Sequence, residues 1–587
     1  MYLKLINIKN FRKIKDAKCS FNPGLNLIVG PNDSGKTAVI DAIRFVLRQV
    51  VDDYSRILID DFNDPDIEIS IDITFSFDDC NCNKDKLIEE SSLFAEYLSF
   101  TTDNKPELKI WYNIKNNEKD IKFPEFKVGP TKDVAVDMDA RCRENLKVVY
   151  LRPLRDAENE LKAKQGSRIS KILGSHNDIK AAKDKLVELL KRFKDDSERF
   201  FDNENGKKVA DEIKRLLNVF DEQSAIQEKD IKFGPTEKLD YLRTLEKIAL
   251  YYPDLPRPGL GTLNMIFIAA ELLHLNTQKA PKLILVEEIE AHLHPQRQLK
   301  IIKALQEESK NGIQMILTTH SSNLASVTDV FRLNICNEGQ FYSLAEGNTE
   351  LAKKDYSYLG RFLDVTKANL FFARGVLLVE GPTEQLLIPE FAKILGYDFA
   401  NYGISVISTN GLSFEHFVNI FKRKEVPYNQ VPVAVITDAD KKSLAKVTSY
   451  ISQIKNGDNR IECFVGEQLY MDTDLNDDDT KKTTFEKIIL SKTTELKKMY
   501  IESFNLKDRK EPAEISMDFE RLYKKISSEK APIAQEVAQQ LSVLNKGKKP
   551  AIKKEIEANL KYIVNAIKFV LPDTTVGQKD TSETAIE

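Results

Sequence analysis

Residues Gly30-Pro-Asn-Asp-Ser-Gly-Lys-Thr37 fit the pattern G-x-x-x-x-G-K-[ST], whose residue types suit the holding of a polyphosphate. Gly30 and Gly35 let the backbone curl, so that the N–H groups of Asn32, Asp33, Ser34 and Gly35 can face phosphate oxygens. A helix opening at this point adds the partial positive charge of its N-terminus. Lys36 is placed to bridge the β- and γ-phosphates of ATP, and the Thr37 hydroxyl to coordinate Mg²⁺. Leu283-Ile-Leu-Val-Glu-Glu288 is the complement, an apolar strand with two carboxylates at its C-terminal end. Glu287 would join the Mg²⁺ shell, and Glu288 would orient or deprotonate the attacking water.

A second group of acids has different chemistry. Val376-Leu-Leu-Val-Glu-Gly381, followed by Glu384, reads as strand, acid, glycine, helix. Val431-Pro-Val-Ala-Val-Ile-Thr-Asp-Ala-Asp440 reads as a strand ending in Asp-x-Asp. In a parallel sheet both strands deliver Glu380, Asp438 and Asp440 to one edge. Like charges so close are costly unless cations neutralise them, and hard oxygen ligands suit Mg²⁺ or Mn²⁺. Two such ions can activate water and stabilise the leaving oxygen in phosphodiester cleavage.

The flanking sequence supplies the elements these sites need. Tyr2–Ile8 and Leu25–Val29 read as strands, and Thr37–Leu47 has helical periodicity. Ile67–Phe77 alternates apolar and polar residues, which predicts an antiparallel strand at the margin of a sheet. Further strands are expected at Leu108–Tyr112, Val148–Leu151, Gln314–Leu317, Ile404–Ile407 and Ile461–Val465. From Asp156 to about Tyr251 charges multiply and helical spacing dominates, as in Ala182–Phe193 and Val209–Phe220, so a helical insertion is expected there. The chain beyond Glu486 reads as mainly helical, with a disordered last dozen residues.

Composition narrows the class. A chain of 587 residues exceeds one ordinary core and predicts two or three domains. With 42% hydrophobic and 30% charged residues it reads as a soluble globular enzyme. Lys+Arg 87 against Asp+Glu 91 excludes a histone-like polycation but allows a local basic groove. No apolar run approaches membrane-spanning length and Met1 leads into a charged strand, so a cytoplasmic protein is expected. Cys19, Cys80, Cys82, Cys142, Cys336 and Cys463 lack the paired spacing of a zinc site and read as reduced thiols.

Three features resemble the ATPase heads of the ABC class, in the SMC/RecF branch. Asn10-Phe-Arg12 precedes the phosphate loop, as in those heads. Gly259-Leu-Gly-Thr-Leu-Asn264 stands where their signature motif does, although it departs from the usual Ser-Gly-Gly-Gln. The resemblance implies that Gly259 and Gly261 reach a partner's γ-phosphate across a dimer, and that His320 is the switch histidine that senses it. His292-Leu-His294 resembles the dimer-facing loop of these heads rather than a zinc site. The second group of acids, with Asn410-Gly-Leu-Ser413, resembles a Toprim domain.

The combination resembles the overcoming-lysogenization-defect (OLD) family of ATP-dependent nucleases over nearly the whole chain. Val149-Tyr-Leu-Arg-Pro-Leu-Arg155 and Glu287-Glu-Ile-Glu-Ala-His-Leu-His-Pro295 look like its segments, with Ile289 where Pro is usual. Thr484-Phe-Glu486 looks like its later acidic motif, which implies Glu486 as a further metal ligand. Lys546-Gly-Lys548 looks like its C-terminal basic motif, in which a lysine stabilises charge on the cleaved phosphate; either Lys546 or Lys548 could serve. The expected fold is α/β: an ABC-type (SMC/RecF-like) ATPase head over 1–155 and 251–345, a helical insertion over 156–250, a linker over 346–369 and a Toprim domain over 370–587. The resemblance implies a homodimer or higher homo-oligomer that cuts DNA with ATP and Mg²⁺ or Mn²⁺, in antiphage defence, in some relatives beside a helicase or retron component. The rival reading is a non-catalytic, ATP-switched DNA clamp of the SMC/RecF type, and the acids Glu380, Glu384, Asp438, Asp440 and Glu486 speak against it.

Overall fold

The computed structural model describes residues 1–49, 57–77, 88, 90–117, 120–121, 124–152, 167–201, 203, 207–209, 211–213, 241–246, 248, 259–276, 282–424, 426, 428–438, 460–466, 484–506, 513–514, 516–544 and 549–572. Asp440, Lys546, Lys548, Cys80, Cys82, most of Val209–Phe220 and the last dozen residues lie outside them. The chain divides into two compact units, one of Met1–Tyr150, Leu283–Glu290 and Pro295–Glu587, the other of Leu151–Lys282 and Ala291–His294.

The first unit holds three larger sheets. One is antiparallel and seven-stranded, running in space Val136–Asp137, Glu125–Val128, Pro106–Ile114, Ile69–Ser76, Tyr2–Phe11, Ile14–Ser20, with Leu98–Phe100 paired to Pro106–Ile114. The strand expected at its margin lies inside it: Ile69–Ser76 pairs with Tyr2–Phe11 on one side and with Pro106–Ile114 on the other. Its alternation reports which face is drier, not whether a neighbour continues the ladder. Ser70 and Ser76 are buried as well, so the polar face is also largely covered.

The second sheet runs Gln340–Ser343, Leu333–Asn337, Leu25–Val29, Gln314–Thr319, Leu283–Val286, Lys147–Leu151, Arg48–Gln49. Leu25–Val29, Gln314–Thr319 and Leu283–Val286 are parallel neighbours and buried throughout, which is why they read as unbroken apolar runs. Their C-terminal ends therefore face one edge, where the phosphate loop, His320 and the Glu287–Glu288 pair emerge.

The third sheet is parallel, in the order Ile404–Ser408, Gly375–Val379, Val433–Thr437, Ile461–Val465. Its chain order reverses between Gly375–Val379 and Val433–Thr437, and such a switch point opens a crevice at the carboxyl ends of the two strands. Helices Pro382–Leu395, Phe485–Lys492, Glu495–Asn505, Phe519–Ser527, Lys530–Ser542, Lys549–Asn559 and Lys561–Val570 contribute to one core with these strands, built from residues such as Leu377, Phe391, Phe485, Ile533 and Ile563. The stretch expected as a linker carries the helix Lys353–Phe362 and a short 3-10 turn, Lys367–Phe372.

Among its described residues the second unit is helical, with Arg168–Ser175, Asn177–Ala181, Lys183–Phe201, Tyr241–Leu245 and Leu260–Asn276. Arg168 and Glu271 form an ion pair inside it, both almost fully buried. Nearby burial, and then the charge of Arg168, pushes the His274 pKa down to about 4, so the ring is neutral. Among the described residues, no helix of the chain is long and apolar enough to cross a membrane.

Candidate functional site

The phosphate loop joins Leu25–Val29 to the helix Lys36–Val46 through backbone that only certain residues tolerate. Gly30 (φ 156°) and Gly35 (φ 113°) are left-handed, and a Cβ on Gly30 would meet the Cys336 carbonyl at 2.1 Å. The tip of the following hairpin closes on the loop, with the Gly339 N–H donating to Ser34 O at 2.7 Å. The buried Lys36 ammonium donates to the carbonyls of Gly30 (2.9 Å) and Pro31 (2.8 Å), so it is held over the cradle of the loop. Burial lowers its pKa, while Glu290, Glu288 and Asp33 act to raise it.

Glu287 is buried at the end of Leu283–Val286. The Tyr150 hydroxyl donates to it at 2.7 Å, and Thr37 hydrogen-bonds to it from the loop. Burial raises the Glu287 pKa above the usual carboxylate range, while those two hydrogen bonds oppose the rise. Arg44 stacks over the Tyr150 ring at 3.8 Å and pairs with Asp41. Arg12 also reaches Asp41 (2.6 Å) and Asp61 (2.7 Å), and Asn10 bonds the carbonyls of Asp64 and Ile67. The Asn10-Phe-Arg12 motif thus braces the phosphate-loop helix through Asp41.

Glu288 takes a left-handed backbone (φ 45°) and stays partly exposed, with its carboxylate 3.7 Å from His320 Nε2. Burial, then the charge of Lys36, lowers the His320 pKa. Glu290 is the residue that the sequence reading missed. It accepts from Thr319 Oγ1 (2.8 Å) and from the His320 N–H (2.6 Å), which ties the loop after Glu288 to the loop that carries His320. Gly259 and Gly261 belong to the second unit, where the Gly261 Cα side is closely approached by His292 O and Asn264 Nδ2 donates to Ala291 O at 3.2 Å. The signature-like segment and the His292–His294 loop therefore lie together.

The second group of acids meets at the switch-point crevice of the four-stranded sheet. Glu380 follows Gly375–Val379, and its Oε1 accepts from Thr437 Oγ1 and from the Asp438 N–H (2.9 Å). Gly411 N donates to Glu380 O at 2.8 Å, so Asn410-Gly-Leu-Ser413 supports the same strand end. Asp438 Oδ1 accepts from Phe485 N (2.9 Å), which brings the helix carrying Glu486 to the end of Val433–Thr437. Glu384 is buried in the first turn of Pro382–Leu395. Burial first, then the charge of Glu486, pushes its pKa up to about 7. Asp438 is raised well above its ordinary range by burial and by Glu380, Glu384 and Glu486.

Among the described residues, a lysine answers this charge. Lys530 Nζ sits 2.8 Å from Glu486 Oε2 at the start of Lys530–Ser542. Burial alone would lower the Lys530 pKa, yet the charge and hydrogen bond of Glu486 raise it, so it stays an ammonium. Nothing in the residue pattern separates Lys530 from the many other lysines of the C-terminal helices. Among the described residues, no three His, Cys, Asp or Glu side chains gather as a ready metal-ligand set. Glu380, Glu384, Asp438 and Glu486 are nevertheless within electrostatic reach of one another, all with hard oxygen donors of the kind that fits Mg²⁺ or Mn²⁺. Asp440 lies outside the described residues.

The two sites define an ATPase domain joined to a Toprim domain. Residues 1–325 match the family described as AAA ATPase domain, and the chain belongs to it. Residues 371–440 match the overcoming lysogenization defect protein-like TOPRIM domain. The chain is 26% identical over 443 residues to the OLD nuclease of Thermus scotoductus, covering 73% of this chain and 80% of that protein. It is 24% identical over 444 residues to endonuclease GajA of Bacillus cereus, covering 70% and 71%. It is also 24% identical over 531 residues to the Old nuclease of Escherichia phage P2, covering 82% and 84%.

Proposed function

We propose that this protein is an ATP-hydrolysing, divalent-metal-dependent DNA endonuclease that acts as a homodimer or higher oligomer in cytoplasmic antiphage defence. The observation that carries this reading is the convergence of Glu380, Glu384, Asp438 and Glu486 on one crevice with Lys530 beside them. Acids so crowded that Glu380 and Glu486 help raise the pKa of Asp438 and Glu384 are unstable as they stand, and suit a site that gains cations.

At the head, Lys36 would bind the β- and γ-phosphates of ATP, and the N–H groups of Asn32 to Gly35 would cradle them. Thr37 and Glu287 would hold Mg²⁺, with Tyr150 orienting the Glu287 carboxylate. Glu288 would take a proton from the attacking water, and His320, 3.7 Å away, would hold that carboxylate in place. Gly259 and Gly261 would complete a partner's site.

At the Toprim site, Glu380, Glu384, Asp438 and Glu486, with Asp440, would hold Mg²⁺ or Mn²⁺. Such ions supply an activated water and neutralise phosphate charge. Lys530 stands ready against the charge that builds on the cleaved phosphate, a role that the sequence reading gave to Lys546 or Lys548. The names of the relatives, all nucleases, support a nucleic acid as the substrate, and DNA is the one proposed here. Incubation of purified protein with supercoiled plasmid and Mn²⁺ tests the reading: conversion to nicked or linear DNA, abolished by EDTA, is expected, and intact plasmid under all metal and ATP conditions contradicts it.

A further inference from the structure

Two tyrosines beside the carboxylates carry hydroxyls that packing alone does not require. Tyr562 stands in the first turn of Lys561–Val570, the helix laid against Val433–Thr437, Ile461–Val465 and Gly375–Val379. Tyr500 lies in Glu495–Asn505. Both rings belong to the core of this domain, with exposures of 7% and 0%. Both hydroxyl oxygens are shielded from solvent and, among the described residues, have no hydrogen-bond partner.

A phenylalanine would fill the same space without burying an unpaired hydroxyl, which proteins disfavour. The surroundings of these hydroxyls are specific. Tyr562 is within electrostatic reach of Asp438, Glu384, Glu486 and Glu380, and Tyr500 of Glu486 and Glu384. Burial first, then these carboxylates, lifts both phenols well above their ordinary range, so both remain O–H donors. Ionised, as they would be around a cation, these acids can only accept. A neutral hydroxyl among them can donate to a carboxylate oxygen and accept from a water at the same time.

We propose that Tyr562 is a positioning residue of the carboxylate site: with a divalent cation bound, its O–H would donate to an acid of the cluster and its oxygen would accept from a water, links that the metal-free arrangement lacks. Tyr500 would make the equivalent link on the Glu384–Glu486 side. This rests on the metal-dependent reading above. It follows the general pattern in which small divalent cations keep several waters and outer-shell partners orient the ligands.

The test is Mn²⁺ binding to the full-length protein without nucleotide, by titration calorimetry and by the electron paramagnetic resonance signal of free Mn²⁺. Asp438→Asn shows which bound ions belong to the cluster. Tyr562→Phe is expected to weaken those ions about 10-fold. Its melting temperature in EDTA is expected to equal or exceed that of wild type, because an unpaired hydroxyl has been removed. Tyr500→Phe should behave alike. Unchanged Mn²⁺ affinity in Tyr562→Phe overturns the proposal and leaves the metal site standing. A lower melting temperature in EDTA also overturns it, since the hydroxyl would then be bonded without metal. A wild type that binds no more Mn²⁺ than Asp438→Asn overturns both this proposal and the metal-dependent reading.

Discussion

Glu384→Gln should stabilise the metal-free protein at alkaline pH while removing a metal ligand. Glu384 is buried, and burial together with Glu486 lifts its pKa from 4.5 to about 7. Below pH 4.5 the carboxyl is protonated in both folded and unfolded chains and makes no difference. Between pH 4.5 and 7 the unfolded chain ionises first, so the folded state holds the extra proton and stability falls as pH rises. Above pH 7 the full penalty applies, about 3 kcal/mol at 1.36 kcal/mol per tenfold change in proton affinity. Glutamine removes that penalty. It also loses the attraction of a carboxylate to its own helix N-terminus, roughly 0.5 kcal/mol. The expected gain is therefore about 2–3 kcal/mol at pH 8 and near zero at pH 4.5. Urea unfolding in EDTA, followed by circular dichroism at both pH values, reads this directly. A variant less stable than wild type at pH 8, or a difference that does not change with pH, would refute the account of Glu384.

Further outcomes follow from the same geometry. Glu288→Gln should keep ATP binding and lose about 10²–10⁴-fold in ATP turnover, because an amide cannot take the proton; nucleotide binding and phosphate release measure the two separately. Tyr150→Phe leaves the buried Glu287 with one hydrogen bond fewer and should weaken the metal-dependent part of ATP binding about 10-fold, read by titration with and without Mg²⁺. Lys530→Gln should lower plasmid cleavage about 10²–10³-fold with ATP turnover unchanged; cleavage kinetics of this variant beside charge-neutral changes at Lys546 and Lys548 decide which lysine meets the cleaved phosphate.

The parts of the fold that were legible in sequence are those where burial is two-sided or a backbone constraint is severe. Leu25–Val29 and Leu283–Val286 are the same in the sequence and in the structure, because apolar runs in a parallel sheet end where the chain leaves the core. Gly30 and Gly35 mark a turn that a Cβ would obstruct or strain. Thr484-Phe-Glu486 was legible only by resemblance, yet its place has a local cause: Thr484 caps the helix and Phe485 N bonds Asp438. Strand order was not legible, and Ile69–Ser76 went to the interior of its sheet because alternation carries no lateral information. Lys530 was hidden for a similar reason. A lysine on an amphipathic helix looks the same whether it meets water or Glu486, and only the packing of that helix against Pro382–Leu395 decides which.

ATP turnover and DNA cleavage are proposed as two chemistries on two sets of residues in one chain. This is tested most directly by measuring both activities in Asp438→Asn, which keeps the oxygen that accepts from Phe485 N and removes one charge from the cluster. Mn²⁺-dependent plasmid cleavage should be lost while ATP turnover stays close to wild type. Cleavage at the wild-type rate would contradict this, and would return the acids of the crevice to a binding role in an ATP-switched clamp.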